Sequence, residues 1–342
     1  MELSAPRTPG ATGPSSPRTV TLIGGSGFIG TALTEVFARA GWRVRILCRN
    51  PGRAQRLKPL GDVGQIGIVR GDVRIPTTLL PVLEGADAAI NLVGILDEKS
   101  GQRFADVQAR GAGTAAAAAV RQGVRAYIHM SAIGADPQSP SAYGRTKGEG
   151  EAAVLAACTP DGPCRAAIVR PSLVFGADDG FTNRFAGLIA AAPVIPVVAP
   201  ETRFQPVFVG DLAAATLAIM GRLMNGIDAD GTVWELGGPD VLSMRQIMGF
   251  IAETIGAHKT LVDTPDIAAR MLAGFGFLPG APLTKDQYLM LKRDNIVSHG
   301  AGGTATRGLA ELGIEPTAMA AVAPAWLARF RKGGRFAAAA GA

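Results

Sequence analysis

A tyrosine and a lysine four positions apart are the residues of this sequence most suited to chemistry. Tyr143 and Lys147 lie in "SAYGRTKGEGE", which is typical of a helix, and a spacing of four puts both side chains on one helix face. A neighbouring ammonium stabilises a phenolate and so brings the pKa of a tyrosine, ordinarily about 10, toward neutrality. Ser131, which ends the predicted strand "AYIHMS", offers a hydroxyl to a substrate oxygen. Together the three side chains predict general acid–base chemistry, with a proton passing to or from a substrate oxygen.

The same three residues also have an explanation without a reaction. A lysine at this place can bind the ribose next to a nicotinamide, so Lys147 and a tyrosine packed beside it would also suit a protein that only holds its nucleotide. A half-buried helix tyrosine and a plain strand-end serine are the structural alternatives for Tyr143 and Ser131. We expect Glu149 and Glu151, farther along the helix, to be solvated charges.

A glycine-rich turn predicts where a nucleotide binds. "TLIGGSGFIG" places Gly24, Gly27 and Gly30 directly after an apolar strand and at the start of a helix. In this arrangement the first glycine permits the tight turn, the second lets backbone N–H groups approach a pyrophosphate, and the third allows close helix packing. The helix N-terminus adds partial positive charge, and Phe28 and Ile29 are further predicted cofactor contacts. A merely tight turn is the alternative.

The end of the second predicted strand indicates which dinucleotide is bound. An NAD site normally has a carboxylate there for the ribose hydroxyls, but "ILCRNPGR" has Cys48 at that position, followed by Arg49. Arg49, together with Arg53, is able to pair with a 2′-phosphate, so we expect NADP(H) to be favoured over NAD(H). The alternative is that Arg49 is a solvated loop charge.

Other predicted strand ends supply the remaining cofactor contacts. Asp72 in "VRGDV" is placed to reach the adenine, and "NLVG" after the fourth strand lets the backbone lie against the ribose and nicotinamide. Ordinary turns are the alternative at both places. The other residues assigned to the cofactor are Val73, Leu92, Val93, Gly94 and Pro171.

Alternating elements must position these residues. From residue 19, short apolar runs are separated by single helices, so the strands run parallel and the fold class is α/β, a doubly wound Rossmann sheet. We expect a disordered tail over 1–17, a nucleotide-binding domain over 18–175 and a flexible tail over 331–342. Residues 176–330 are expected to form a smaller C-terminal lobe, with segments near 205–240 packing back on the sheet.

Composition restricts the function classes. The chain has 342 residues, a formal charge of +6 and 47% hydrophobic residues, and its basic side chains are dispersed. This charge suits phosphate-bearing ligands or an acidic partner and does not suggest nucleic-acid binding. Three cysteines without a paired pattern fit small buried side chains in a reducing compartment, and three scattered histidines predict no metal site. We expect no transmembrane segment, because the longest uncharged stretch, 185–200, is short and broken by prolines. A transit peptide is an alternative for the N-terminal tail.

Taken together, these motifs resemble the short-chain dehydrogenase/reductase superfamily in its extended or atypical branch. The resemblance rests on the glycine turn, "GD" after the third strand, "NLVG", Ser131 and the YxxxK pair, and it covers about residues 18–240. A narrower likeness is to the atypical group that includes the NADPH-binding accessory subunit of respiratory complex I and its bacterial relatives. "RPSLVFGADDGFTNRFA", "QPVFVGDLA" and the late "LTKDQYLMLKRDNIV" are similar to segments of that group.

The resemblance implies one of two alternative functions. In the first, the protein holds NADP(H) with little or no turnover, as an accessory or assembly protein of a membrane respiratory complex. Its expected location is then the cytoplasm, peripherally on the cytoplasmic face of the inner membrane. In the second, Ser131, Tyr143 and Lys147 act as the catalytic residues of a reductase, dehydrogenase or epimerase-like enzyme. Its substrate would be apolar, because "IAAAPVIPVVAP" and "MLAGFGFLPGAPL" lack polar groups for a sugar; core packing is the alternative for these stretches.

Overall fold

The computed structural model describes residues 17–98, 101–228, 230–274, 283–298 and 307–334. Residues 1–16 and 335–342 of the two expected tails lie outside this range, as does most of "MLAGFGFLPGAPL". The strands are β1 (Thr19–Ile23), β2 (Arg43–Cys48), β3 (Ile66–Arg70), β4 (Ala88–Asn91), β5 (Ala126–Met130), β6 (Arg165–Pro171), β7 (Val174–Phe175), β8 (Val194–Val198), β9 (Arg203–Phe204), β10 (Val207–Phe208), β11 (Asp230–Leu236), β12 (Leu242–Ser243) and β13 (Thr260–Thr264).

The helices occupy the connections between these strands and much of the C-terminal third. They are α1 (Phe28–Arg39), α2 (Pro51–Ala54), α3 (Leu80–Leu83), α4 (Gly111–Arg121), α5 (Ala142–Ala157), α6 (Thr182–Ala191), α7 (Val209–Met224), α8 (Met244–Thr254), α9 (Asp266–Gly274), α10 (Lys285–Met290), α11 (Met319–Val322) and α12 (Pro324–Leu327). A π-helical turn, Ala105–Arg110, leads directly into α4.

The central sheet is parallel throughout and confirms the doubly wound fold. Its seven strands lie in the order β11-β6-β5-β4-β1-β2-β3. The chain moves outward from β1 to β3 and then returns to β4 on the other side of β1. The carboxyl ends of β1 and β4 therefore form the crevice in which ligands of open α/β sheets bind. The predicted glycine turn follows β1 and "NLVG" follows β4 at this crevice.

Two apolar layers hold the helices on the sheet. On one face, α1 and α7 bury side chains such as Phe37 and Leu212 against β1 and β5. On the other face, α3, α4 and α5 pack over the sheet, and the Ala-rich run of α4 buries Ala115 and Ala116. Small side chains bring α4 and α5 close together, which fixes the helix that carries Tyr143 and Lys147.

The segments after β6 divide between the central sheet and a separate apolar cluster. β11 pairs with β6 as the seventh strand, and α7 covers the face that α1 also covers. The separate cluster is formed mainly by α6, β8, α8 and α12, with Ile189, Met248 and Leu327 in its interior. β13 pairs with β8 as a parallel strand. Among the described helices, none is both long enough and apolar enough to cross a membrane.

Candidate functional site

The glycine turn has a backbone that side chains would disturb. Gly24 has φ +81°, and a Cβ there would lie 2.7 Å from Cγ2 of Val93. Gly30 begins the close packing of α1, because a Cβ there would lie 2.6 Å from Cα of Gly25. Gly27 is different: it is exposed, it precedes α1 without a side-chain cap, and a Cβ there would have open space, the nearest atom being 3.9 Å away. This open position is where a pyrophosphate can approach the N–H groups of α1.

Basic side chains border this turn on the β2 side. Arg49 is exposed at the end of β2, and the buried thiol of Cys48 before it faces the side chain of Ser26 in the turn. Arg56, which the sequence analysis missed, donates from Nη2 to the carbonyl of Ser26 and to Oγ1 of Thr31, both at 3.3 Å. The end of β2 therefore presents guanidinium groups and no carboxylate. This arrangement fits a phosphate on the adenosine ribose.

The predicted adenine position already contains an ion pair. Asp72 accepts from Nε and Nη2 of Arg74 at 3.0 and 2.7 Å, and this pairing holds the pKa of the Asp72 carboxyl below its usual range. The positive charge of Arg49 also lowers the pKa of Asp72, to a smaller extent. Val73 is buried against Gly111, and a cavity of about 300 Å³ lies between Val73, Arg74 and the start of α4.

A buried pair of an asparagine and a histidine supports the turn after β4. Oδ1 of Asn91 accepts from the N–H of Val93 at 3.1 Å, and Nδ2 of Asn91 lies 3.3 Å from Nδ1 of His129 on β5. Burial lowers the pKa of His129 to about 3, so its imidazole is neutral. Gly94, next in the turn, is exposed, and a Cβ there would lie 3.4 Å from Nζ of Lys147. The turn that would face the nicotinamide thus lies directly beside the candidate lysine.

Ser131, Tyr143 and Lys147 gather at the same end of the crevice. Lys147 is buried and donates from Nζ to the carbonyl of Met130 at 3.0 Å, and desolvation lowers its pKa to about 8. Burial raises the pKa of Tyr143 to about 12, and its ring packs edge-on against Phe104. Oγ of Ser131 is buried without a hydrogen-bond partner among the described residues. An unpaired buried hydroxyl is costly, so this atom fits a site that a ligand completes.

These residues fit a nicotinamide dinucleotide along the whole crevice. A bound dinucleotide would place its pyrophosphate at the glycine turn, its adenosine ribose near Arg49 and Arg56, and its nicotinamide ribose near Gly94 and Lys147. Pro171 ends β6 on the same edge, and its carbonyl accepts from the N–H of Ile133 at 3.1 Å. Phe28 and Ile29 begin α1 directly beside the turn.

Comparison with known proteins agrees with this geometry. The model of the NAD dependent epimerase/dehydratase family matches residues 20–237. The chain belongs to this family. The predicted membership of the short-chain dehydrogenase/reductase superfamily is thereby confirmed, and with it the binding of a nicotinamide nucleotide as the family's property.

Two relatives and one solved structure show how far the similarity extends. The mitochondrial NADH dehydrogenase [ubiquinone] 1 alpha subcomplex subunit 9 of Arabidopsis thaliana is 30% identical over 327 residues, covering 92% of this chain and 78% of that protein. The ceramide reductase of Caulobacter vibrioides is 31% identical over 253 residues, covering 72% of this chain and 74% of that protein. A UDP-galactose 4-epimerase structure matches with a TM-score of 0.66 at 17% identity, over 90% of this chain and 97% of that one, which shows the fold alone.

One helix charge differs from expectation. Glu151 is buried, and its oxygens accept from Nε and Nη2 of Arg170 on β6 at 2.9 and 2.6 Å. The expectation of a solvated charge is therefore wrong for Glu151, whereas Glu149 is exposed. The physical reason is helical phase, since Glu151 lies four residues after Lys147 and faces the sheet with it. Arg170 also lies 3.5 Å from Glu235, so a buried charge network fixes α5 on β6 and β11.

The structure also shows how several other polar side chains are placed. Asp179 is buried and accepts from the N–H groups of Gly176 and Phe181 at 2.9 and 2.8 Å, which is a turn role. The cysteines are buried free thiols, but Cys158 and Cys164 lie with their sulfurs 3.4 Å apart. Within the part of the chain that the structure describes, no cluster of metal-ligating side chains occurs.

A buried glutamine that the sequence analysis missed supports the nicotinamide end. Gln108, in the π-helical turn, accepts from the N–H of Ile95 at 3.2 Å and donates to Oγ1 of Thr146 at 3.0 Å. It thereby ties the segment after β4 to the helix that carries Lys147. No local sequence pattern marks Gln108, because both of its partners are distant in the chain.

The lowered pKa of Lys147 predicts a stability effect that depends on pH. Its folded pKa of about 8 lies below the ordinary value of 10.5, so burying the ammonium opposes folding below pH 8, by about 3 kcal/mol, and this penalty disappears as the pH rises to 10.5. We expect Lys147→Met to stabilise the nucleotide-free protein at pH 7 by about 1 to 2 kcal/mol, since the unpaired Met130 carbonyl offsets part of the gain.

Urea unfolding of both proteins between pH 7 and 10.5 tests this expectation. The difference between Lys147→Met and the unmodified protein should shrink steadily above pH 8. The exposed Lys58 provides the matched control, because Lys58→Met should show no such trend. A Lys147→Met protein that is less stable by the same amount at every pH would contradict the assignment.

Proposed function

We propose that this protein binds NADP(H) and serves as an accessory or assembly protein of respiratory complex I, with little or no turnover. The observation that carries the proposal is the 30% identity to a complex I subunit over 92% of the chain, which extends well past residue 237, where the family match ends. The lobe beyond the nucleotide domain is thus included in the similarity.

The nicotinamide end supports retention of the nucleotide over reaction. Tyr143 has a pKa of about 12, raised by burial, whereas a proton donor works best with a pKa near the operating pH. Nζ of Lys147 is engaged with the Met130 carbonyl. A raised tyrosine pKa and an engaged lysine amine therefore support retention of the nucleotide more than proton transfer.

Mass analysis of the nucleotide that copurifies, with its release rate, tests the first half of the proposal. We expect NADPH or NADP⁺ that leaves slowly, on the scale of minutes or longer. Rapid exchange would favour an enzyme, and a protein that binds no nucleotide would refute the proposal. Purification of the tagged protein from native membranes tests the second half, since failure to recover complex I subunits would remove the accessory role.

An active NADP-dependent reductase, dehydrogenase or epimerase-like enzyme is the second candidate. It is favoured by the unpaired Ser131 hydroxyl and by the 31% identity to a ceramide reductase. NADPH oxidation with apolar carbonyl compounds, such as steroids, isoprenoids and quinone-related molecules, is the assay. Turnover that is lost in Tyr143→Phe would support this candidate, and turnover that the change leaves intact would remove the mechanism.

Location follows from the same proposal. As an accessory protein of complex I it would lie peripherally, on the cytoplasmic face of the inner membrane. Fractionation that finds the protein with membranes at low salt and releases it at high salt would support peripheral attachment. Protein that stays in the supernatant at low salt would count against it.

A further inference from the structure

A carboxylate from the C-terminal lobe caps the helix that carries the candidate tyrosine and lysine. Oδ1 of Asp286 accepts from the N–H of Ala142 at 2.6 Å, and Oδ2 accepts from the N–H of Tyr143 and from Oγ of Ser141, both at 3.1 Å. Ser141 is itself the N-cap of α5 and accepts from the N–H of Gly144 at 3.2 Å. Two otherwise unpaired N–H groups of α5 therefore bind a residue that lies more than 140 positions later in the chain.

Asp286 also belongs to a capped helix of the C-terminal lobe. It lies in the first turn of α10, which begins with a reciprocal cap between Thr284 and Gln287. A carboxylate is favourable near a helix N-terminus because the N–H groups there are partly positive. The Asp286 carboxylate lies at the N-termini of both α5 and α10, so its negative charge interacts favourably with both helices.

A second anchor fixes the same segment to the sheet. The carbonyl and Oδ1 of Asn295 accept from Oγ of Ser172, just after β6, at 2.7 and 2.8 Å. Nδ2 of Asn295 donates to the carbonyl of Ile133, two residues after Ser131, at 3.3 Å. Residues 284–298, which we name the strap, thus cross the segments that follow β5 and β6 and reach the start of α5. The strap spans the end of the site where the nicotinamide would lie.

We propose that Asp286 is a positioning residue through which the strap holds α5, and with it Tyr143 and Lys147, in place against the nicotinamide half of the nucleotide. The inference rests on the proposed nucleotide-holding function and deepens it. Tyr143 lies in the first turn of α5, so its own N–H is one of the three donors that Asp286 fixes. Lys147 lies one turn later, beside Gly94. Among the described residues, Asp286 makes no hydrogen bond to the glycine turn or to the end of β2, where the pyrophosphate and the adenosine ribose would bind.

The test compares an intact dinucleotide with its adenine half. In Asp286→Ala we expect NADPH to dissociate about five to ten times faster. The free energy that a helix loses with its cap corresponds to about this factor in an equilibrium constant. The affinity for 2′,5′-ADP, which lacks the nicotinamide, should change less than about twofold. NADH and ADP form the corresponding pair if NADH is the better ligand. Asp286→Asn, which keeps an acceptor oxygen but loses the charge, should give an intermediate effect and is the alternative if the alanine variant does not fold.

Asp294→Asn is the matched control. Asp294 lies in the same strap, but its carboxylate binds Arg203 at 2.6 Å on the lobe and makes no contact with α5. Its variant should keep the unmodified dissociation rate. Equal weakening of NADPH and 2′,5′-ADP in Asp286→Ala would indicate general destabilisation and overturn the proposal. An unchanged NADPH rate, or an equal effect in Asp294→Asn, would overturn it as well.

Hydrogen exchange separates this inference from the proposed function. If the unmodified protein retained no nucleotide, the proposed function would fail, and the cap could still be judged on the nucleotide-free protein. The amides of Ala142 and Tyr143 should then exchange about ten times faster in Asp286→Ala and at the unmodified rate in Asp294→Asn. Unchanged exchange in Asp286→Ala would show that the cap does not hold α5.

Discussion

Replacing Arg49 with glutamate is expected to raise the dissociation constant for NADPH about 100-fold while changing that for NADH less than about threefold. A charge-assisted bond to a phosphate contributes about 2 kcal/mol, and a carboxylate in its place adds about 1 kcal/mol of repulsion. Arg49 is exposed at the end of β2. Arg56 borders the same side of the crevice, and the end of β2 has no carboxylate. NADH lacks the 2′-phosphate, so the substitution removes no phosphate contact from its binding.

Titration of the nucleotide-free protein with both dinucleotides gives the two constants. Arg43 offers a matched control, because it begins β2 at the opposite end of the same strand and is also exposed. Arg43→Glu changes the net charge by the same amount, yet it should leave both constants unchanged. If Arg49→Glu weakened NADPH and NADH equally, the NADP(H) preference would lose its physical basis.

The parts of the fold that could be predicted are those determined by local pattern. Single helices between short apolar runs force parallel strands, and the glycine turn marks the first crossover, so β1 to β6 and their parallel direction followed from the sequence. Tyr143 and Lys147 could be placed on one helix face by their spacing alone. Glu151 lies four residues after Lys147 and therefore on the same helix face, so its burial beside Lys147 could also have been predicted.

The parts that could not be predicted depend on contacts between distant segments. Arg56 lies on a short helical turn whose direction no sequence pattern determines, and only the fold brings it to the Ser26 carbonyl. Asp286 and Asn295 lie in a segment without hydrophobic periodicity, and their partners are set by how the lobe packs on the sheet. The pKa of Tyr143 was expected to fall because of Lys147, but burial raises it, since desolvation penalises the phenolate.

Two alanine substitutions in one turn are expected to separate nucleotide binding from folding. Gly27→Ala should fold with a free energy of unfolding within about 1 kcal/mol of the unmodified protein, because its Cβ would meet only the carbonyl oxygen of Gly24, at an ordinary contact distance of 3.9 Å. It should nevertheless weaken nucleotide binding about 100-fold, since the methyl group keeps the pyrophosphate from the N–H groups of α1 and about 3 kcal/mol of hydrogen bonding is lost.

Gly30→Ala should have the opposite primary effect. Its Cβ would lie 2.6 Å from Cα of Gly25, and the atoms in conflict are backbone atoms that cannot rotate away. We expect the free energy of unfolding to fall by about 3 kcal/mol, as for overpacked cores. Urea unfolding of the nucleotide-free proteins, set beside titration with NADPH and NADH, distinguishes the two variants. Should Gly27→Ala bind both nucleotides normally, the phosphates do not lie on this turn, and the shared site of an accessory protein and an enzyme would have to be sought elsewhere along the crevice.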